Sequence, residues 1–227
     1  MFYIVASRLA AAVAFTLAAV AVSAPCFGKL DGDTIFETPC TSILADDGRG
    51  MQVREFSGDV TLVTYAAPSS YSYDQALQDT ADLVICYFTG ECNENGTSLL
   101  DARTVPLTLR PSTKSFNFFE GVMAIAPSKW PRNASFPVPT YGDMLEILNG
   151  TIGVLVGNFP EVPTEADFDS LCSELAKGLP ALGFRVLPRS RFSPTHARYY
   201  SQNKANDLPW EAECWLGVAH AREEEAM

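Results

Sequence analysis

The chain is poor in the side chains that do chemistry. Its 227 residues include only two histidines, His196 and His220. No cysteine pair has the Cys-x-x-Cys spacing of a zinc or dithiol site, which argues against both. A glycine-rich phosphate loop and a dinucleotide fingerprint are also missing. Ser193-Pro194-Thr195-His196 sets a serine near a histidine, but no strand–nucleophile–helix elbow surrounds it. His196 therefore reads as a loop or edge-strand residue. Asp46-Asp47, beside Gly48-Arg49-Gly50, reads as a turn and not as a metal site, because Asp and Gly suit tight turns. No acid, base and nucleophile assemble, so the sequence speaks for a protein without catalysis.

Basic charge is scarce as well. Sixteen Lys and Arg face 27 Asp and Glu, a formal charge of -11. Such a surface repels phosphate backbones and argues against nucleic-acid binding. The Glu223-Glu224-Glu225 stretch reads as part of a solvated acidic tail, residues 219–227.

One long apolar run is present, and it lies at the start. Arg8 is the only charge in residues 1–24, and Val22-Ser23-Ala24 forms a small-residue cleavage site. The run has the length of a signal h-region and is short for a membrane span. Residues 1–24 are expected to be a signal peptide, leaving a secreted or lumenal protein with no stable membrane anchor after cleavage. Pro25 before Cys26 disfavours lipoprotein processing. Loss of Arg8 takes the charge from -11 to -12, since residues 1–24 carry no acid and no other base.

All six cysteines follow that cleavage point, which suits disulfides in an oxidising compartment. Cys86 and Cys92 form the best local pair, one in the last helical turn and one just past Gly90. The remaining connectivity stays open. Asn-x-Ser/Thr triplets at Asn95, Asn133 and Asn149 fall in loop-like segments, so each is an expected glycosylation site.

Two segments share a plan of strand, turn, helix and further strands. In the first, Met51–Phe56 and Val60–Tyr65 have strand character. A helix is predicted from Tyr73 to Thr89, with Ser72 and Gln75 at capping-box spacing and Gly90 as its stop. Leu77, Thr80, Leu83, Val84, Tyr87 and Phe88 make its apolar stripe. In the second, Ile152–Phe159 reads as a strand and Thr164–Lys177 as a helix buried through Phe168, Leu171, Cys172 and Leu175. Asn149-Gly150 between apolar runs is a hairpin signal. Strands outnumber helices, so the expected class is α+β: a distorted antiparallel β-barrel of two related halves with two main helices.

The stretch YDQALQDTADLVICYFTGECNENGTSLLDARTVPLTLRP, Tyr73 to Pro111, carries a more specific signal. Together with Met51-Gln52-Val53-Arg54 and Glu213-Cys214-Trp215-Leu216, it resembles the SOUL/haem-binding-protein family over Cys40 to Val218. Residues 25–39 then form an N-terminal extension and residues 40–218 the domain. The resemblance implies a small αβ barrel that binds haem or another tetrapyrrole without an established catalytic centre. It places the ligand on the outer face of the first helix, at Gln78, Ala81 and Ile85, and beside a late loop, at Tyr200 and Lys204. The chain departs from the family at three points. Gln78 and Cys86 stand where some members carry a basic residue, and Glu55 where some carry histidine. Tetrapyrrole binding by apolar contact is thus the expected function. The alternative is a noncatalytic extracellular interaction protein that kept the fold and lost the pigment. Arg54 is a candidate to neutralise a propionate, against the plainer reading that on an alternating strand it faces solvent or pairs with an acid, and Trp215 is expected to serve packing.

Overall fold

The computed structural model describes residues 29–31, 34–36, 38–39, 41–58, 60–68, 72–102, 104, 106–111, 118–126, 135–140, 144–188, 194–198 and 210–221. The expected signal peptide, Asn133, Tyr200 and Lys204 lie outside them. The strands are β1 (Lys29–Asp31), β2 (Thr34–Phe36), β3 (Thr41–Asp46), β4 (Met51–Phe56), β5 (Val60–Pro68), β6 (Leu107–Pro111) and β7 (Phe118–Ala124), followed by β8 (Met144–Leu148), β9 (Thr151–Phe159), β10 (Phe184–Val186), β11 (Thr195–Arg198) and β12 (Trp210–His220). Helix α1 spans Tyr73–Thr89 between β5 and β6, and α2 spans Glu165–Gly178 between β9 and β10. Strands β1 and β2 form a separate hairpin. The other strands make one antiparallel sheet in the order β3-β4-β9-β12-β11-β6-β7-β5-β8, with β10 added to β12. This is the expected α+β class, realised as a curled half-barrel whose edges are β3 and β8.

Alternation along the strands decides what each face receives. On β12, Ala212, Cys214, Leu216 and Val218 enter the clusters that meet the helices. Trp215, between them, points to the opposite, concave side. Helix α1 packs on β5 and β7, and α2 on β9 and β12, both on the convex face. Under α1 lie Val63, Leu109 and Met123, and under α2 lie Val53, Leu155 and Leu216. Each helix comes close to the sheet over a glycine. A Cβ on Gly121 would collide with Thr80 of α1, and one on Gly153 would collide with Leu179 just beyond α2.

The helix ends follow from local chemistry. Ser72 Oγ accepts from the Gln75 N–H at 3.3 Å, and Gly90 closes α1 with a φ of +96°, a conformation that favours glycine. Thr164 and Asp167 form the capping box of α2. The Thr164 N–H and hydroxyl both donate to the Asp167 carboxylate, which holds its pKa below the ordinary value. Disulfides join Cys86 to Cys92, as expected, and Cys172 to Cys214, which ties α2 to β12. Bonds of this kind persist in oxidising compartments. Among the described residues no helix is long and apolar enough to cross a membrane.

Two expectations change. His196 is not in a loop or on an edge. It sits in β11 between β12 and β6, buried, stacked on Phe168 at 4.6 Å with its Nδ1 3.1 Å from the Tyr73 hydroxyl. Ala81 is not on an outer face. It belongs to the core that also holds Leu99 and Ala102, with Phe136 packed against that core. Chain from beyond α1 folds back against the end of the helix. The Leu99 N–H donates to the Phe88 carbonyl at 2.7 Å, and the Tyr87 hydroxyl to the Pro137 carbonyl at 2.8 Å.

A concave recess as the candidate functional site

The concave side of the sheet carries the charged and aromatic groups that the helices leave uncovered. A recess of about 310 Å³ opens there, lined by Arg54 and Phe56 of β4, Ile152 and Val156 of β9, and Glu211, Glu213 and Trp215 of β12. Pro106 and the segment around Pro39 complete its rim. The volume lies at the lower end of the range for small-molecule sites, about 300–1,000 Å³. These residues converge because β4 and β12 both pair with β9, which puts side chains of like parity on one surface.

Glu213 is the hub. Its side chain is 1% exposed and accepts from Arg54 Nη1 at 3.4 Å and from the Trp215 indole N–H at 2.7 Å. Arg54 is itself steadied by Gln52, whose side-chain oxygen accepts from Arg54 Nε at 2.8 Å. The Trp215 ring meets Phe56 edge to face, with centroids 6.4 Å apart. The recess thus has an aromatic floor and a polar wall of one guanidinium and two carboxylates, Glu211 and Glu213.

Beyond Phe56, Trp215, Pro106 and Pro39, which both spaces share, lies a smaller slot of about 20 Å³. Leu62, Val122, Ala124 and Leu148 make it apolar, and Thr108, Arg110 and Thr195 are its polar lining. Arg110 is turned away from free chemistry. Its Nε donates to Glu120 at 3.0 Å and its Nη2 to Glu146 at 2.7 Å, with Arg110 3% and Glu120 1% exposed.

The residues expected to hold a tetrapyrrole on α1 do not form a comparable surface. Gln78 is exposed and donates to Asp82, Ala81 is buried, Ile85 is half-buried, and Cys86 is in its disulfide. None of them lines either the recess or the slot. Tyr200 and Lys204, the other two residues of that expected face, lie outside the described residues. His196 is covered by Phe168 and Tyr73 and lines neither space. The two described glycosylation candidates, Asn95 and Asn149, are both exposed. Asp46 and Asp47 make the expected turn: Asp46 accepts from the Gly48 N–H and Asp47 from the Arg49 N–H. The Gly48 bond, with help from Gln52, lowers the Asp46 pKa.

Sequence reasoning named Arg54 and Trp215 but read them as a strand charge and a packing residue, and it passed over Phe56, Thr195 and Glu211. A signal was available on β12. Glu211, Glu213 and Trp215 alternate with Ala212, Cys214 and Leu216, and carboxylates at every second position of an otherwise apolar strand mark a polar inner wall.

No family model matches the chain, and no curated protein matches it in sequence. Among solved structures it is similar to a hydrolase from Listeria innocua, at 12% identity and a TM-score of 0.46, covering 75% of this chain and 92% of that one. It is also similar to an uncharacterized conserved protein from the same organism, at 12% identity and a TM-score of 0.47, covering 75% and 93%. Likeness at this level says nothing about chemistry.

Proposed function

We propose that this is a secreted, noncatalytic binding protein that holds a flat amphipathic small molecule in the concave recess. The observation that carries this reading is the aromatic floor of Trp215 and Phe56 beside the polar wall of Arg54 and Glu213. A planar apolar body gains most from such a floor, and a few fixed polar groups orient it. The tetrapyrrole class comes from the sequence resemblance. In the recess it would be held by apolar contact, since among the described residues no imidazole or sulfur side chain lines that space. Export follows from the expected signal peptide and accords with the disulfides.

The charge of the wall favours a second ligand class. Among the described residues the guanidinium of the wall is that of Arg54, and it already serves Glu213. With Arg54 committed to Glu213, an anionic ring finds less support from that guanidinium, support that a neutral or cationic planar molecule does not need. Both classes are tested by one titration, with haem, metal-free protoporphyrin and a cationic porphyrin, read by tryptophan quenching. At least one is expected to saturate in the wild type and to lose most of its affinity in Trp215→Phe. A cationic porphyrin binding more tightly than protoporphyrin supports the second class. Failure of all three to saturate overturns the recess as their site.

A further inference from the structure

The slot holds a side chain that the fold leaves unfinished. Thr195 is 3% exposed, and its hydroxyl has no hydrogen-bond partner. It stands on β11 directly opposite Trp215 of β12, so both project to the concave side. The other polar groups of the slot are largely spoken for. The Thr108 hydroxyl donates to the Val122 carbonyl at 3.2 Å and keeps only acceptor capacity. Arg110 is engaged by Glu120 and Glu146. With a volume of about 20 Å³, the slot has room for about one water-sized group. It is too small for a ring and large enough for a hydroxyl or an amine.

We propose that the ligand of the recess carries one hydroxyl or primary amine that enters this slot, and that Thr195 Oγ1 is its hydrogen-bond partner and the specificity-determining group. The assignment rests on binding in the recess, with which the slot shares Phe56, Trp215, Pro106 and Pro39. A hydroxyl suits the unused capacity, because it can donate to one threonine oxygen and accept from Thr195. A methyl group of the same size would leave the buried Thr195 hydroxyl dry and unpaired, which costs affinity. A water in the slot would have few polar neighbours and is readily displaced.

The experiment uses the mature chain and a matched pair of planar probes, 2-naphthol and 2-methylnaphthalene, whose binding is measured by equilibrium dialysis. The wild type is expected to prefer the naphthol by about tenfold. Thr195→Val, which keeps the shape and removes the hydroxyl, is expected to bind both alike, and Thr195→Ser to keep the preference. Thermal melts monitor folding, and the valine variant is expected to melt no lower than the wild type because it deletes an unpaired buried group. Equal binding of the two probes by the wild type overturns the slot assignment and leaves the recess standing. So does a preference that survives in Thr195→Val. If neither probe binds at all, the recess reading itself fails.

Discussion

The two halves of the sheet carry the same charge set and treat it in opposite ways. On the α1 side, Arg110 of β6 meets Glu120 of β7 and Glu146 of β8, and the arginine and Glu120 are sealed at 3% and 1% exposure. On the α2 side, Arg54 of β4 shares a wall with Glu211 and Glu213 of β12, and Arg54 is 20% exposed beside an open recess. One arginine near two glutamates can therefore be sealed as a closed structural lock or stand beside an open recess. What separates the cases is neighbouring volume. Leu62, Val122 and Leu148 crowd the first set, while the space beside Phe56 and Trp215 stays open.

The sharpest way to break this comparison is to remove each arginine. Arg110→Met leaves carboxylates buried without their partner, and such a loss costs about 3–5 kcal/mol. Arg54→Met is expected to cost less than half as much, since the open recess lets water reach the bared carboxylate and the Trp215 indole N–H still serves Glu213. Urea unfolding of the two variants checks the contrast. Equal losses would erase the distinction between lock and site.

The disulfides offer a smaller difference of the same kind. Cys86–Cys92 closes a short loop at the end of α1, with a sequence separation of 6. Cys172–Cys214 spans 42 and anchors α2 to the strand that carries Glu213 and Trp215. Chain entropy alone assigns about 2 kcal/mol to the first and about 4 kcal/mol to the second. The double alanine variant of the second pair is thus expected to unfold at clearly lower urea. Ligand affinity is expected to fall with it, whereas the first pair affects stability and leaves affinity unchanged. The reverse order would place the ligand near α1 after all.

Much of the frame was legible because it is local. The limits of α1 follow from Ser72, Gln75 and Gly90, all within reach of the helix they end. The turn at Asn149-Gly150 falls between β8 and β9, and Cys86 lies one helical end from Cys92. The candidate site was not legible, because β4, β9 and β12 are far apart in the chain and only sheet pairing brings Arg54, Val156 and Glu213 together. The burial of Ala81 on α1 was hidden for the same reason. Ala81 looks peripheral on a helical wheel, yet it is buried within the core around α1, which no wheel shows. Cys172–Cys214 also stayed hidden, since its partners meet only once α2 packs on β12.

The most direct measurement of where the ligand sits is a titration of the protein, labelled with ¹⁵N-tryptophan, with whichever porphyrin saturates. The indole resonances of Trp130, Trp210 and Trp215 are followed, and Trp215→Phe identifies the Trp215 signal. The Trp215 resonance, whose proton is held by Glu213 at 2.7 Å, is expected to shift most and to saturate with the binding curve. A saturating ligand that leaves that resonance unmoved would contradict binding in the recess.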